Sequence, residues 1–182
     1  MQLGDVANAA AVNHGKPLDG VRVVAVEQMQ ALPFATQLMG RLGAEVVKVE
    51  LPGTGESGRG ATPSMIDPEG RAVGATFLRN NLNKRSIGID LRSEAGQDLF
   101  LRLVPNFDVV ADNFKAGTMA RYGLDYEEVN NIHPGAIVVS ISGFGNTGDS
   151  PYRDWPAYNS IVEAMSGIYD YKRPIDGSPV VN

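Results

Sequence analysis

Two strand segments separated by one helical segment constrain the fold of this chain more than any other sequence feature. The first segment (21–26) is nearly all β-branched and apolar, as expected of a strand covered on both faces, and the second (44–50) is rich in valine. Pro33 stands where the first turn of a helix tolerates a missing N–H, and Gly43 stands where helices commonly end. We expect this helix to bury an apolar stripe formed by Phe34, Leu38, Met39 and Leu42. The order predicts a β-α-β unit with parallel strands and a right-handed crossover.

Strands and helices continue to alternate along the chain. Further strands are predicted at 86–91, 108–112 and 136–142, and further helices at 94–104, 125–133 and 157–167. Segment 52–85, rich in Gly, Pro and Arg, is predicted to be a long loop with at most one short helix near residues 75–79. The pattern predicts an α/β fold with a doubly wound, Rossmann-like parallel sheet over 17–182, preceded by a mobile lead-in over 1–16.

The composition narrows the possible functions. The chain has 182 residues, no cysteine and two histidines, His14 and His133, so disulfides, thiolate chemistry and a histidine-built metal site are not expected. Its net charge of −5 is opposite in sign to that of a typical nucleic-acid-binding domain. No apolar run approaches the ~20 residues that cross a bilayer, and the first residues do not resemble a secretory signal. We therefore expect a cytoplasmic protein that binds no metal, nucleic acid or membrane.

A glycine motif at 53–58 has the G-x-G-x-x-G spacing of dinucleotide-binding loops. Those loops lie between the first strand and the first helix, whereas this one follows the second strand and precedes Pro63 and Pro68. Glu50 ends the second strand, where dehydrogenases place an acid that binds the ribose. We interpret the motif as a flexible glycine loop and Glu50 as a solvated strand end, and keep an NAD-dependent dehydrogenase as an alternative.

Nine of the sixteen basic residues fall on the long loop or near the ends of the third and fourth strands. They are Arg59, Arg71, Arg79, Lys84, Arg85, Arg92, Arg102, Lys115 and Arg121. Ligands of doubly wound sheets bind outside the carboxyl ends of the strands, so cations gathered there predict a polyanionic small molecule as ligand. Phe114 and Phe144, which follow the fourth and fifth strands, would suit a flat base such as adenine or would belong to the core.

Several short motifs occur in an order and spacing that resemble one known family. They lie at 17–23, 42–50, 83–87, 112–114, 121–123, 142–145, 156–159 and 165–167. On these motifs the chain resembles the family III CoA-transferases, also called the CaiB/BaiF family, over nearly everything after residue 16. This family includes formyl-CoA transferase, L-carnitine CoA-transferase and the α-methylacyl-CoA racemases. The resemblance implies a Rossmann-like N-terminal domain, a smaller second domain and two chains interlocked as a homodimer.

The resemblance also implies that coenzyme A (CoA) or an acyl-CoA is bound as substrate. Gln30 and Ala31 would line the active site at the thioester end, with Gln30 supporting the reaction. Leu51, Ile89 and Arg92 would flank the nucleotide. Leu51 departs from formyl-CoA transferase, which carries a cation at that position.

Further contacts to CoA are implied by matching positions later in the chain. Asn113, Phe114 and Lys115 would contact adenine and ribose, and Arg121 would bind a phosphate, a task that suits a guanidinium group. The segment 142–145, which consists of Ser142, Gly143, Phe144 and Gly145, would lie along the pantetheine arm.

The chemistry implied by the resemblance is transfer of CoA from an acyl-CoA to a small carboxylic acid through an aspartate that forms an aspartyl-CoA thioester. That aspartate is expected a few residues beyond Asn182, and neither Asp170 nor Asp176 is assigned its role. We therefore expect no catalytic residue within this chain. We expect the chain to be the N-terminal part of a longer protein, which forms an interlocked homodimer or associates with the missing C-terminal half.

Two alternatives that also bind CoA stay open. Racemases of the family place a His-Asp pair where this chain has Tyr158 and Asn159. Moving a proton at an α-carbon requires a group that titrates near neutral pH, so this pair favours CoA transfer over racemisation. The other alternative is a CoA-binding module without catalytic activity.

Overall fold

A five-stranded parallel sheet forms the centre of residues 14–168, the part of the chain that the computed structural model describes. The strands in chain order are β1 (Arg22–Val26), β2 (Glu45–Glu50), β3 (Ser64–Ile66), β4 (Ala72–Gly74), β5 (Lys84–Gly88), β6 (Val109–Asp112) and β7 (Ile137–Ser140). The sheet has the order β5-β2-β1-β6-β7, and β3 pairs with β4 in a separate antiparallel hairpin. Because the order reverses direction between β1 and β6, the sheet is doubly wound and the predicted fold class is confirmed. Most of the predicted lead-in (1–16), Asp170 and Asp176 lie outside the described residues.

Six α-helices connect or flank the strands of this region. They are α1 (Ala31–Arg41), α2 (Ala75–Asn80), α3 (Glu94–Leu103), α4 (Thr118–Arg121), α5 (Tyr126–Ile132) and α6 (Asn159–Met165). The Ser93 hydroxyl begins α3 by accepting a hydrogen bond from the Gly96 amide (3.1 Å), and Asp125 begins α5 by accepting one from the Glu128 amide (3.3 Å). Gly43, with a φ of 111°, follows α1 in the left-handed region that glycine favours. Between residues 14 and 168 no helix combines the length and the apolar surface needed to span a bilayer.

The central strand β1 is buried on both faces. Val23 and Val24 have no exposed surface, and neighbouring residues of a strand point to opposite sides of the sheet. On one side Val24 belongs to a core with Phe100 of α3 and Val129 of α5. On the other side Val23 belongs to a core against which Met39 of α1 packs. Since full burial of such a side chain contributes about 1.5–3 kcal/mol, the two layers together hold the sheet between helices.

Helix α1 turns only part of the predicted apolar stripe toward the sheet. Phe34, Leu38 and Leu42 are exposed (52%, 41% and 47%), whereas Thr36 is buried. The Thr36 hydroxyl donates a hydrogen bond (2.7 Å) to the carboxylate of Glu27, which is itself buried directly after β1. The predicted stripe is thus wrong at three positions and right at Met39, which packs against the core that contains Val23. Apolar periodicity does not reveal a buried polar contact such as the one between Thr36 and Glu27.

Segment 52–85 is more ordered than predicted. It forms a 3₁₀ helix (Ser57–Gly60), the β3–β4 hairpin and α2, and β5 begins at Lys84, two residues before its predicted start. The two hairpin strands have three residues each and are mostly exposed, so they lack the alternating pattern that predicts a strand. The short helix predicted near 75–79 is present as α2.

Candidate functional site

A cleft of about 530 Å³ opens at the carboxyl edge of the sheet, beyond the ends of β1, β2 and β5. Its floor is apolar, because Val26, Val49 and Ile89 are buried there. Phe114, which follows β6, and Tyr122, which follows α4, add two aromatic rings. The other lining residues are Glu27, Gln28, Glu50, Leu51, Thr54, Gly55, Glu56, Ser57, Gly60, Asp90, Leu91 and Arg92. The cleft therefore lies at the edge where doubly wound sheets bind ligands.

The glycine loop that forms one wall of the cleft is held in place, in contrast to the flexible loop predicted. The Glu56 amide donates to Glu50 Oε2 (3.0 Å), and Glu56 Oε2 accepts from the amides of Met29 (2.9 Å) and Gly58 (3.0 Å). Gly55 has a φ of 70°, and a Cβ there would collide with neighbouring side chains, so the turn requires glycine. The loop leads into the four-residue 3₁₀ helix rather than the long helix of a dinucleotide-binding loop.

Glu50, predicted to be a solvated strand end, is buried (5% exposed). Arg59 donates two hydrogen bonds to it, from Nε to Oε2 (2.6 Å) and from Nη2 to Oε1 (2.7 Å), and the Ser86 hydroxyl donates to Oε1 (2.6 Å). Burial raises the pKa of Glu50, but the hydrogen bonds from Arg59, Ser86 and the Glu56 amide outweigh it and lower the pKa to about 2. Both oxygens are thus occupied by the protein itself, which argues against a ribose-binding role.

Glu27, directly after β1, gathers two lysines from neighbouring strands in the interior. Lys84 Nζ donates to Glu27 Oε1 (2.6 Å) and to the carbonyl oxygen of Pro33 (2.8 Å). Lys48 Nζ lies 3.6 Å from the same Glu27 oxygen and 3.7 Å from Glu56 Oε1. Burial lowers the pKa of Lys84 to about 8, although the charge and hydrogen bond of Glu27 oppose that shift. The charges balance in pairs, so removal of one member would leave an uncompensated buried charge.

At the mouth of the cleft, Arg92 forms a two-point pair with Asp90. Nε and Nη2 of Arg92 donate to the two Asp90 carboxylate oxygens (2.8 and 2.9 Å). These hydrogen bonds, together with one from the Arg92 amide, lower the pKa of Asp90 to about 2. The Arg92 side chain is 63% exposed, and its Nη1 takes no part in the pair, so it can donate to an anion in the mouth.

Two polar residues at the end of β6 bind groups of the protein. The Ser140 hydroxyl of β7 donates to Asp112, and burial raises the pKa of that carboxyl. Asn113 binds the main chain of Gln28 twice: the Gln28 N–H donates to Asn113 Oδ1 (2.8 Å), and Asn113 Nδ2 donates to the Gln28 carbonyl oxygen (2.9 Å). The Asn113 side chain is therefore engaged with the turn that follows β1.

The structure brings four of the predicted CoA-binding residues together. Leu51, Ile89, Arg92 and Phe114 line the cleft. The others do not belong to its lining: Gln30, Ala31, Asn113, Lys115, Arg121, Ser142, Gly143, Phe144 and Gly145. The contacts assigned to all thirteen residues by resemblance stay predictions.

Some of the residues outside the lining have local partners. Gln30 immediately precedes α1, and its side chain makes no capping hydrogen bond to the helix. Arg121 Nη2 donates to the Thr118 hydroxyl (3.1 Å) at the start of α4. The Phe144 ring packs against the ring of Tyr152, with centroids 5.8 Å apart.

The nine cations do not gather at the cleft, which corrects the prediction from their spacing. Arg92 alone among them belongs to its lining. Five of the nine pair with acids of the protein: Arg59 with Glu50, Arg71 with Asp67 and Glu69, Lys84 with Glu27, Arg85 with Glu45 and Arg92 with Asp90. The positions of these cations along the chain did not reveal the carboxylates with which they pair.

Sequence reasoning missed several residues at or beside the cleft. Tyr122 lies within a motif that carries the resemblance, but its ring was given no role. Glu27, Lys48 and Glu56 were not singled out, although a lysine inside a valine-rich strand is a signal of a buried ionic partner. Among residues 14–168, no three histidine, aspartate or glutamate side chains converge as a metal site would require.

Comparisons with known proteins place this cleft in context. The family model described as CoA-transferase family III matches residues 18–182. A succinyl-CoA–D-citramalate CoA-transferase of Chloroflexus aurantiacus is 45% identical over 164 residues, which cover 90% of this chain and 38% of that protein. A succinate–glutarate CoA-transferase of Agrobacterium fabrum is 40% identical over 170 residues, covering 92% of this chain and 42% of that protein. The chain thus spans about two fifths of the length of these relatives.

Solved structures give the same result. A CaiB/BaiF family protein from Brucella suis has a TM-score of 0.78 and 43% identity, over 86% of this chain and 40% of that one. The protein Rv3272 from Mycobacterium tuberculosis has a TM-score of 0.80 and 35% identity, over 91% of this chain and 45% of that one. The sequence and the structure of this chain are therefore both similar to those of family III (CaiB/BaiF) proteins.

Proposed function

We propose that this chain, which belongs to CoA-transferase family III, supplies the CoA-binding part of an enzyme that transfers CoA from an acyl-CoA to a carboxylic acid. The carboxyl-edge cleft is the observation that carries this proposal. Its apolar floor, its two aromatic rings and the cation at its mouth match a flat base, a phosphate chain and an apolar arm. We also propose that the protein works in the cytoplasm.

In this proposal, different residues of the cleft bind different parts of the CoA molecule. Phe114 and Tyr122, beside Ile89, hold the adenine ring, because aromatic rings stack on a flat base at little entropic cost. Arg92 binds a phosphate through Nη1 while Asp90 keeps the guanidinium in place. Lys115, next to Phe114 along the chain but not part of the cleft lining, is the second cation proposed for CoA.

We propose that the reaction proceeds through an aspartate supplied by the rest of a longer protein, of which this chain is the N-terminal part. The carboxylate attacks the acyl-CoA carbonyl carbon and expels the CoA thiolate, which leaves a mixed anhydride. The thiolate attacks the aspartyl carbonyl, releases the donor acid and forms an aspartyl-CoA thioester. The acceptor carboxylate then attacks the carbonyl carbon of the aspartyl-CoA thioester and expels the CoA thiolate, which leaves a second mixed anhydride. The thiolate attacks the acceptor carbonyl carbon of this anhydride, so that the acyl-CoA product forms and the aspartate is released. Residues of the cleft hold the nucleotide throughout, so the thiolate stays close to the aspartate.

The names of the relatives suggest the substrate class. The Chloroflexus enzyme is named for succinyl-CoA and D-citramalate, the Agrobacterium enzyme for succinate and glutarate, and an enzyme of Haloarcula hispanica for succinyl-CoA and mesaconate. We propose succinyl-CoA as donor and a small dicarboxylic acid as acceptor. The second carboxylate of such an acceptor needs a cation, and that cation is expected in the part of the protein outside this chain.

We further propose that the protein functions as an interlocked homodimer. The exposed apolar side of α1, formed by Phe34, Leu38 and Leu42, supports this, because contiguous apolar surface commonly marks an interface. Either a second copy or the remainder of the protein would cover it.

An assay of the full-length protein tests the proposed function. Succinyl-CoA is incubated with D-citramalate, glutarate, mesaconate or oxalate, and the new CoA thioester is measured by chromatography and mass spectrometry. We expect at least one transfer product and, in the presence of substrate, an enzyme mass increase that marks a covalent aspartyl intermediate. Isomerisation of a 2-methylacyl-CoA without transfer would indicate a racemase, and CoA binding without any product would indicate a binding module.

A further inference from the structure

The turn between β1 and α1 has an unusual set of hydrogen-bond partners. Its residues Gln28 and Met29 lie in neither the strand nor the helix, and Met29 has a φ of 59°. A residue with a side chain adopts this left-handed conformation at a cost, so surrounding contacts must impose it. The contacts that impose it come from side chains rather than from main chain.

Three side chains bind all four main-chain polar groups of these two residues. Asn113 accepts from the Gln28 N–H (2.8 Å) and donates to the Gln28 carbonyl oxygen (2.9 Å). Glu56 accepts from the Met29 N–H (2.9 Å), and Asn80 Nδ2 donates to the Met29 carbonyl oxygen (3.2 Å). We call Asn113, Glu56 and Asn80 the turn clamp.

The members of the turn clamp come from three separate parts of the fold. Asn113 follows β6, Glu56 belongs to the glycine loop, and Asn80 ends α2. Asn80 has no exposed surface and Glu56 is 6% exposed. Buried polar side chains are costly unless they are hydrogen-bonded, so their use on this turn indicates that its conformation matters to the protein.

The turn clamp determines where the residues after it stand. Gln30 follows Met29 directly, and α1 begins at Ala31. The Gln30 side chain is not used to cap the helix, whereas Gln28 lines the cleft and its Oε1 accepts from the Ser57 hydroxyl (3.3 Å). A shift of the turn would therefore move Gln28, Gln30 and the first amides of α1 together.

We propose that Asn113, Glu56 and Asn80 are positioning residues, which fix the Gln28–Met29 main chain so that Gln30 and the start of α1 are aligned for the transfer step. This inference rests on the proposed CoA-transferase function. It gives Asn113 a role different from the adenine contact implied by resemblance, since both its oxygen and its nitrogen are bound to Gln28. Misplacement by about 1 Å in a reacting site can lower a rate by two orders of magnitude, so loss of the clamp affects turnover more than binding.

The test compares the full-length protein with its Asn113→Ala variant. The measurements are kcat for CoA transfer from succinyl-CoA, the calorimetric Kd for CoA, and hydrogen exchange of a peptide that contains residues 27–31. A positioning role predicts a kcat lowered at least tenfold, a Kd within threefold of wild type, and at least tenfold faster exchange of that peptide. Asn106→Ala is the matched control, since Asn106 Nδ2 also donates to a main-chain oxygen (Leu103, 3.2 Å) but outside the cleft, and it is expected to change none of the three.

Opposite results overturn the proposal in separable ways. A Kd weakened tenfold with unchanged kcat and unchanged exchange would make Asn113 an adenine ligand and remove its positioning role. A wild-type protein without any transfer would overturn the proposed function together with the catalytic purpose of the clamp, whereas an active wild type with a fully active Asn113→Ala would overturn the clamp alone. If Asn113→Ala does not fold, Asn113→Asp keeps the acceptor for the Gln28 N–H but sets a carboxylate oxygen against the Gln28 carbonyl oxygen. A positioning role then predicts a kcat lowered at least tenfold with a Kd within threefold of wild type, and an unchanged kcat would overturn the proposal.

Discussion

Two opposing effects act on the pKa of Glu50, and the larger of the two determines it. Burial favours the protonated carboxyl, but Arg59, Ser86 and the Glu56 amide all donate to the ionised form. The hydrogen bonds prevail, and the pKa of Glu50 falls from its ordinary value of 4.5 to about 2. A carboxyl with a lower pKa in the folded than in the unfolded state stabilises the fold above pH 4.5, and loses that contribution as the pH falls toward 2.

Replacement of Glu50 by glutamine tests this balance. At pH 7 we expect Glu50→Gln to lower the free energy of unfolding by about 3 kcal/mol, since each pKa unit corresponds to about 1.4 kcal/mol. The difference between wild type and variant should shrink toward zero between pH 4.5 and pH 2. Urea unfolding at a series of pH values measures this difference in the free energy of unfolding. Glu69→Gln is the control, because Glu69 belongs to an exposed ion pair, and it is expected to leave the urea midpoint unchanged. A difference independent of pH would contradict the assignment.

Arg92 is the only one of the nine cations that lines the cleft, and it is the residue proposed to bind a phosphate of CoA. With Arg92→Ala, the mouth loses its cation and keeps Asp90, so a phosphate is repelled rather than bound. We expect KM for succinyl-CoA to rise about five- to tenfold with kcat nearly unchanged, and the loss to diminish at high salt. Steady-state kinetics at two ionic strengths measures it.

The control for Arg92 is Arg71→Ala. Arg71 also pairs with an aspartate, Asp67, but lies next to β4 and outside the cleft. An equal rise in KM for both variants would show a general electrostatic effect and contradict a specific phosphate contact.

At the scale of elements, close approach of backbone explains where glycine is required. Gly96 lies in the first turn of α3, and a Cβ there would overlap the main-chain carbonyl of Asp90, in the loop that carries the mouth of the cleft. Alanine favours a helix by up to about 1 kcal/mol over glycine, but a collision with backbone costs about 1–3 kcal/mol, so the collision wins.

We therefore expect Gly96→Ala to destabilise the chain and to push α3 away from Asp90. The expected change is about 1–2 kcal/mol, or a drop of a few degrees in Tm. Gly135→Ala is the control, because its Cβ would meet only a histidine carbon at 3.6 Å. Differential scanning calorimetry measures the Tm of both variants, and an unchanged or raised Tm for Gly96→Ala would contradict the close approach.

The elements that the sequence predicted well are those with strong local signals. The valine-rich segment 21–26 predicted β1, and the helices predicted at 94–104 and 125–133 are present as α3 and α5. The β3–β4 hairpin escaped prediction because its strands are three residues long and mostly exposed. The side of α1 that faces the sheet was only partly predicted, because its buried side includes the polar residue Thr36, whose partner Glu27 is nine residues away along the chain.

The position of the site followed from topology, but its electrostatics did not. A crevice at the carboxyl ends of parallel strands was predictable, and four residues expected there line the cleft. The burial of Glu50 and Glu27 was not predictable, because their partners Arg59 and Lys84 lie 9 and 57 residues away along the chain. Such pairings depend on how the long segment 52–85 folds back over the sheet, and local pattern carries no information about that.

At the scale of the whole molecule, a hydrophobic sheet carries a cleft at one edge, and a buried ionic cluster ties one wall of that cleft to the sheet. Lys48 of β2 and Glu27 after β1 belong to this cluster, and Glu56 joins it to the glycine loop. The same loop reaches the turn before α1 through the Glu56 carboxylate. Ion pairs and hydrogen bonds therefore connect this wall of the cleft, the turn before α1 and the sheet.

Calorimetric titration of the full-length protein with CoA tests most directly whether the carboxyl-edge cleft holds the nucleotide. Loss of a ring that stacks on a base costs about 1–3 kcal/mol, so Phe114→Ala is expected to weaken the Kd about tenfold. Arg102→Ala, which removes a cation of α3 outside the cleft, is expected to leave the Kd unchanged. Wild-type affinity in Phe114→Ala, or equal losses in both variants, would show that CoA binds elsewhere and would contradict the proposed site.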